Sequence, residues 1–165
     1  MTARTSLFIA PLFALMPLAA HAETPASYVA KAGAGDLFEE TSSKLMLRST
    51  KDAKVRAFAM MMVRDHGKST AMVKAAAAKS HVNVGPPHMS AEQKADVAAL
   101  TKASGMARDT LYWEQQKTAH AQALALHQGY AASGTARPLK DAAAKITPVV
   151  QKHIDSLDGG AHTHN

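Results

Sequence analysis

Three histidines sit where a helical reading expects apolar side chains. His66 lies four residues after Met62. His120 lies seven after Trp113 and four before Leu124, and His153 lies seven after Ile146 and four before Leu157. Asp65 flanks His66, and Glu39 adjoins the apolar pair Leu37 and Phe38. Imidazole and carboxylate together suit zinc, iron or manganese. Glu39, Asp65, His66, His120 and His153 are therefore the candidate metal-ligating set, with a divalent metal as the candidate cofactor. The same residues admit a second reading. A buried His–carboxylate network can exist for packing specificity alone.

Weaker signals have simpler accounts. Met60, Met61 and Met62 are consecutive, and three successive residues spread over about 200° of helix, so they do not form one thioether site. Core filling explains them. Asp109 shares a face with Tyr112, Gln116 and His120 but stands about 16 Å from His120 along a helix, too far to share one ion. In a first turn it offsets the helix dipole. His162 and His164 near the C-terminus could take up metal loosely. There is no nucleophile–base motif, no glycine-rich phosphate loop and no cysteine. No Glu-x-x-His occurs either, which argues against a di-iron carboxylate centre built on two such pairs. Nothing in the sequence marks an enzyme.

Helices must position these residues. The chain is rich in Ala, Lys, Met and Leu, poor in aromatics, and shows no useful run of period-two alternation. The spacing predicts helices over about 27–47, 52–80, 90–103, 106–131 and 137–157. Asp52 is an N-cap, and Ser90 with Gln93 forms a capping box. Gly33 and Gly35 weaken the first helix and point to close packing or fraying there. Pro148 interrupts the last one and deprives the Ala144 carbonyl of its helical partner.

Short connections near 48–52 and 133–136 each join antiparallel neighbours. The middle connection is long. The second helix spans about 43 Å, and the loop plus short helix after it reach about 50 Å, enough to return along the bundle. The expected fold is all-α, a ferritin-like four-helix bundle with a long crossover containing a short extra helix. In that arrangement Glu39 stands about 7 Å in height from His66, His153 about 6 Å from His120, and His66 and His120 share a level. The cluster is therefore expected near mid-bundle.

The N-terminus sets the expected compartment. Arg4 is a short positive region, residues 7–18 are apolar, and Ala20-His21-Ala22 has small residues at both positions of a cleavage site. The apolar run is shorter than the roughly 20 residues of a membrane span. Residues 1–22 read as a cleaved signal peptide, 23–158 as the bundle domain and 159–165 as a flexible tail carrying histidines. The product is a periplasmic protein with no transmembrane anchor. With Arg4 gone, the 13 acidic residues face 18 of the original 19 basic ones, a net charge of +5. Scattered lysines at this mild charge read as a solvated surface. They do not read as a nucleic-acid interface, and they permit weak attraction to anionic envelope surfaces.

These residues carry a family resemblance. Val55-Arg56-Ala57-Phe58-Ala59 followed by Met62-Val63-Arg64-Asp65-His66 resembles the helix-two signature of the bacterial domain-of-unknown-function 4142 family, whose members are exported and ferritin-like. Ser104-Gly105-Met106-Ala107-Arg108-Asp109 with Tyr112 and His120 is similar to a second block, and Lys145-Ile146-Thr147-Pro148 with His153 to a third. Glu39 falls where the family carries a glutamate. Arg108 and Thr147 depart from the usual aromatic and leucine. The resemblance implies the fold and export but assigns no function. Two functions fit the residues. One is a metal-binding bundle for sequestration or stress protection. The other is a non-catalytic envelope protein, structural or interacting, whose His/Glu cluster is a hydrogen-bond network.

Overall fold

The computed structural model describes residues 23–161. The expected signal peptide and the last four residues, with His162 and His164, lie outside them. Five helices account for nearly all of the described chain, and no strand occurs among the described residues: α1 (Pro25–Ser49), α2 (Ala53–Lys79), α3 (Ala91–Lys102), α4 (Gly105–Ser133) and α5 (Arg137–Ala161).

Local chemistry sets the helix starts. Thr24 accepts from the Ser27 N–H ahead of Pro25, whose fixed φ suits a first helical position. Asp52 accepts from the N–H groups of Lys54 and Val55 at 2.7 and 3.0 Å. The Ser90 hydroxyl accepts from the Gln93 N–H at 3.1 Å while the Gln93 side chain accepts from the Ser90 N–H at 2.9 Å, a complete capping box. α2 stops where His81 enters the left-handed region at φ 54°, and the Val82 N–H reaches back to the Ala77 carbonyl at 2.9 Å. α5 departs from expectation at its end. It continues past the expected end near Leu157, through Gly159 to Ala161. Two glycines weaken a final turn without ending it when the preceding turns, about six of them, already hold the helix.

The pairs α1/α2 and α4/α5 are antiparallel hairpins. The crossover lays α2 and α4 parallel, because Phe58 near the start of α2 meets Tyr112 and Trp113 near the start of α4. Likewise α1 and α4 run antiparallel, since Tyr28 stacks on Tyr130 with ring centroids 4.0 Å apart. This is the ferritin-like bundle, with α3 as the short helix of the crossover, laid against α1 and α4. Gly33 allows the crossover loop to approach α1: a Cβ there would stand 3.1 Å from the Pro87 Cβ.

The apolar core is split in two. One layer joins Tyr28, Val73, Tyr130, Leu139 and Ile146. The other joins Met46, Phe58, Met62, Leu100, Tyr112 and Leu157 at the opposite end. Between them lies a buried polar layer of Asp36, Glu39, His66, Gln116, His120 and His153. No helix among the described residues is long and apolar enough to cross a membrane.

Candidate metal centre

Three of the four bundle helices each contribute one histidine to the polar layer: α2 gives His66, α4 gives His120 and α5 gives His153. Their exposures are 5%, 1% and 2%. The ring centroids form a near-equilateral triangle, 5.6 Å from His66 to each of the others and 5.3 Å from His120 to His153. One nitrogen from each ring lies within 4.8 Å of the other two. The two apolar layers hold the histidines at this height, and packing leaves the rings no solvent to turn towards.

The outer contacts decide which nitrogen faces inward. His66 Nδ1 lies 2.8 Å from Asp36 Oδ1, and the Thr70 hydroxyl donates to Asp36 Oδ2 at 3.0 Å. His120 Nδ1 lies 2.8 Å from the Gln116 carbonyl oxygen. His153 Nε2 lies 3.3 Å from Asp65 Oδ2. Each outer partner is an acceptor, so the proton of each neutral ring belongs on its outer nitrogen. The inner nitrogens then present lone pairs to one another. His120 Nε2 and His153 Nδ1 are 3.2 Å apart, and His66 Nε2 is buried with no partner. Facing lone pairs in a dry interior repel unless a proton or a cation sits among them.

A proton can fill that role on His66 alone. Burial, then the charge of His66, pushes His120 down to about 3. Burial and His66 likewise push His153 down to about 4. Burial also opposes charge on His66, but the Asp36 carboxylate beside it, with Glu39 and Asp65, more than offsets this and its pKa rises. Two of the three rings are therefore neutral at ordinary pH, the form that ligates metal.

Glu39 stands against this cluster, 3% exposed, with Oε1 3.6 Å from His120 Nδ1 and Oε2 unpartnered. Burial raises it to about 7, against the pull of His66. Asp65 is placed differently. It is on the outer side of His153, where Arg64 clamps it through two contacts of 2.8 and 2.7 Å. The Arg64 guanidinium holds its carboxyl well below the usual carboxylate range. Of the expected set, the structure brings the three histidines together, with Glu39 against the outer nitrogen of His120 and Asp65 outside His153.

Sequence reasoning missed Asp36 and His127. Asp36 precedes Glu39 by three residues, a spacing that shares a helix face, and His127 follows His120 by seven. Those spacings were the available signals. His127 Nδ1 lies 2.9 Å from the Tyr28 hydroxyl, and burial pushes its pKa down to about 4.

The family model described as domain of unknown function (DUF4142) matches residues 13–158. No curated protein matches the chain. Among solved structures the chain is similar to a candidate secreted protein, DUF305, from Streptomyces coelicolor. The TM-score is 0.67 at 15% identity, over 82% of this chain and 89% of that one. At that identity the likeness is one of fold.

Proposed function

The chain belongs to the DUF4142 family, and for this member we propose a periplasmic bundle that binds a divalent cation through His66, His120 and His153, beside the carboxylate of Glu39. The observation that carries the reading is the orientation of the rings. Three acceptors on the outside turn one nitrogen of each ring inward, and those of His120 and His153 are unprotonated. Metal-bound histidines are commonly held this way, with the far N–H given to a carboxylate or carbonyl.

Two nitrogens bound tetrahedrally to zinc at about 2.0–2.1 Å stand roughly 3.3 Å apart, and His120 Nε2 and His153 Nδ1 are already at 3.2 Å. His66 has only to close inward. The three imidazoles suit zinc or iron, and the buried Glu39 carboxylate nearby offsets the charge of the ion. Asp65 orients His153 and does not ligate. A site this deeply buried suits sequestration or structural stabilisation. Export rests on the N-terminal pattern ending at Ala22.

The test is metal analysis of the mature chain ending at Ala161, so that His162 and His164 contribute nothing, purified without affinity tag or chelator. One equivalent of metal, absent in His66→Ala, supports the reading. A metal-free protein that takes up no divalent ion would leave the cluster as a buried hydrogen-bond network.

A further inference from the structure

A cavity of about 560 Å³ opens between α1, α3 and α4 and ends against the polar layer. The crossover helix forms its roof, so it exists because the chain returns along the bundle before α4 begins. Its size falls within the range of roughly 300–1,000 Å³ typical of small-molecule sites. Ala32, Ala34, Phe38, Ala119, Ala123 and Leu126 supply apolar walls. Gly35 lines it too, and a Cβ built there would meet nothing within 4 Å, so the space is open at that point.

Two lining side chains carry unpartnered buried acceptors. Gln115 is 9% exposed, and its Nε2 donates to the Asp96 carbonyl oxygen at 3.1 Å. That bond fixes the amide, because a carbonyl oxygen can only accept, and it leaves Gln115 Oε1 without a donor. Glu39 Oε2 is the second such atom. A buried acceptor without a donor is costly, and a ligand bearing N–H groups relieves it.

Charge points the same way. Glu23, Asp36, Glu39, Glu92 and Asp96 line the cavity against Lys31, His66 and His127. Lys31 is engaged by Glu23 at 2.7 Å and His66 by Asp36 at 2.8 Å. His127 Nδ1 pairs with the Tyr28 hydroxyl at 2.9 Å. The cavity therefore offers buried acceptors between apolar walls, with the carboxylates of Glu92 and Asp96 unmatched nearer its solvent edge.

We propose that this cavity binds a small organic cation, a primary amine or guanidine on a short apolar body, whose N–H groups donate to Gln115 Oε1 and Glu39 Oε2. An apolar body fills the alanine-lined wall, and the carboxylates compensate the charge that burial would otherwise penalise. The site does not depend on metal at the histidines.

The experiment is calorimetric titration of the metal-free mature chain with phenethylamine, agmatine and the neutral 2-phenylethanol. At least one cation should bind one-to-one with a Kd on the order of 1 mM or tighter, and 2-phenylethanol at least tenfold more weakly. Gly35→Leu should weaken the cation at least tenfold by filling the open space, with an unchanged or raised melting temperature because leucine favours a helix over glycine. Gln115→Leu should weaken it without altering zinc uptake. Binding by neither cation, equal binding of the alcohol, or full cation affinity in Gly35→Leu would overturn the proposal. Zinc uptake, measured on the same samples, reports on the histidine centre separately.

Discussion

Asp36 Oδ1 stands 2.8 Å from His66 Nδ1, across 30 residues of chain and between two helices. The contact turns the imidazole so that Nε2 points into the cluster, and Thr70 holds the carboxylate from its other side. Asp36 therefore aims a ligand that it does not replace. Asp36→Asn preserves the shape but weakens the acceptor and removes its charge. Zinc affinity, measured against a competing chelator, should fall about 10–100-fold, the usual effect of losing such an orienting partner, with helix content unchanged. Wild-type affinity in this variant would mean that Asp36 does not orient His66.

Cation binding should stabilise the fold. A ligand present at about 100 times its Kd contributes roughly 2.7 kcal/mol to a native state that alone binds it. For a chain of this size that is a rise in melting temperature on the order of 5–15 °C. Zinc should produce the rise in the wild type and none in His153→Ala. A shift of equal size in both proteins would place the bound ion elsewhere.

The metal-free protein should lose stability in mild acid. His120, His127 and His153 have folded pKa values of about 3, 4 and 4, below the unfolded value of roughly 6.5. Below that value the unfolded chain takes up protons that the buried rings refuse. Their contribution is present above pH of about 6.5 and is lost as pH falls towards the folded values. His66 and Glu39 act in the opposite sense. Their folded pKa values are raised, so their contribution is present at low pH and lost as pH rises, for Glu39 through about 7. Three lowered groups outweigh two raised ones, so the melting temperature should climb between pH 4.5 and 6.5. Each uncompensated proton is worth about 1.4 kcal/mol per pH unit. His120→Gln removes one lowered group and should flatten the climb. A profile parallel to the wild type would show that His120 carries no such linkage.

Leu100 anchors the crossover. It is fully buried, the single residue of α3 with that burial, and it packs into the layer of Met46, Phe58 and Tyr112. Leu100→Ala should cost about 2–5 kcal/mol. If the loss acts locally, hydrogen exchange in α3 should accelerate before that in α1 and α4. Uniform acceleration along the chain would show that the crossover and the bundle open as one unit.

Much of this protein was legible in its sequence. Asp52, Ser90 with Gln93, and the breaks at Ser104-Gly105 and Ser133-Gly134 marked helix ends, because capping and glycine chemistry act within a few residues. Chain-length arithmetic fixed the crossover, since a nine-residue loop and a short helix must travel somewhere. Helical rise alone then put His66 and His120 at one height, with Glu39 and His153 within about 7 Å of it.

Tertiary structure decided the rest. Helical periodicity says which face a histidine occupies but not which ring nitrogen looks inward. That depends on the acceptor met across the interface, Asp36 for His66 and Asp65 for His153. Asp65 looked like a ligand because it neighbours His66, yet successive residues on a helix diverge by about 100°, and it faces the outer edge of the ring from α5. The cavity was invisible for the same reason. Its walls come from α1, α3 and α4, and the space left between three helices is a property of their packing that no single helix encodes.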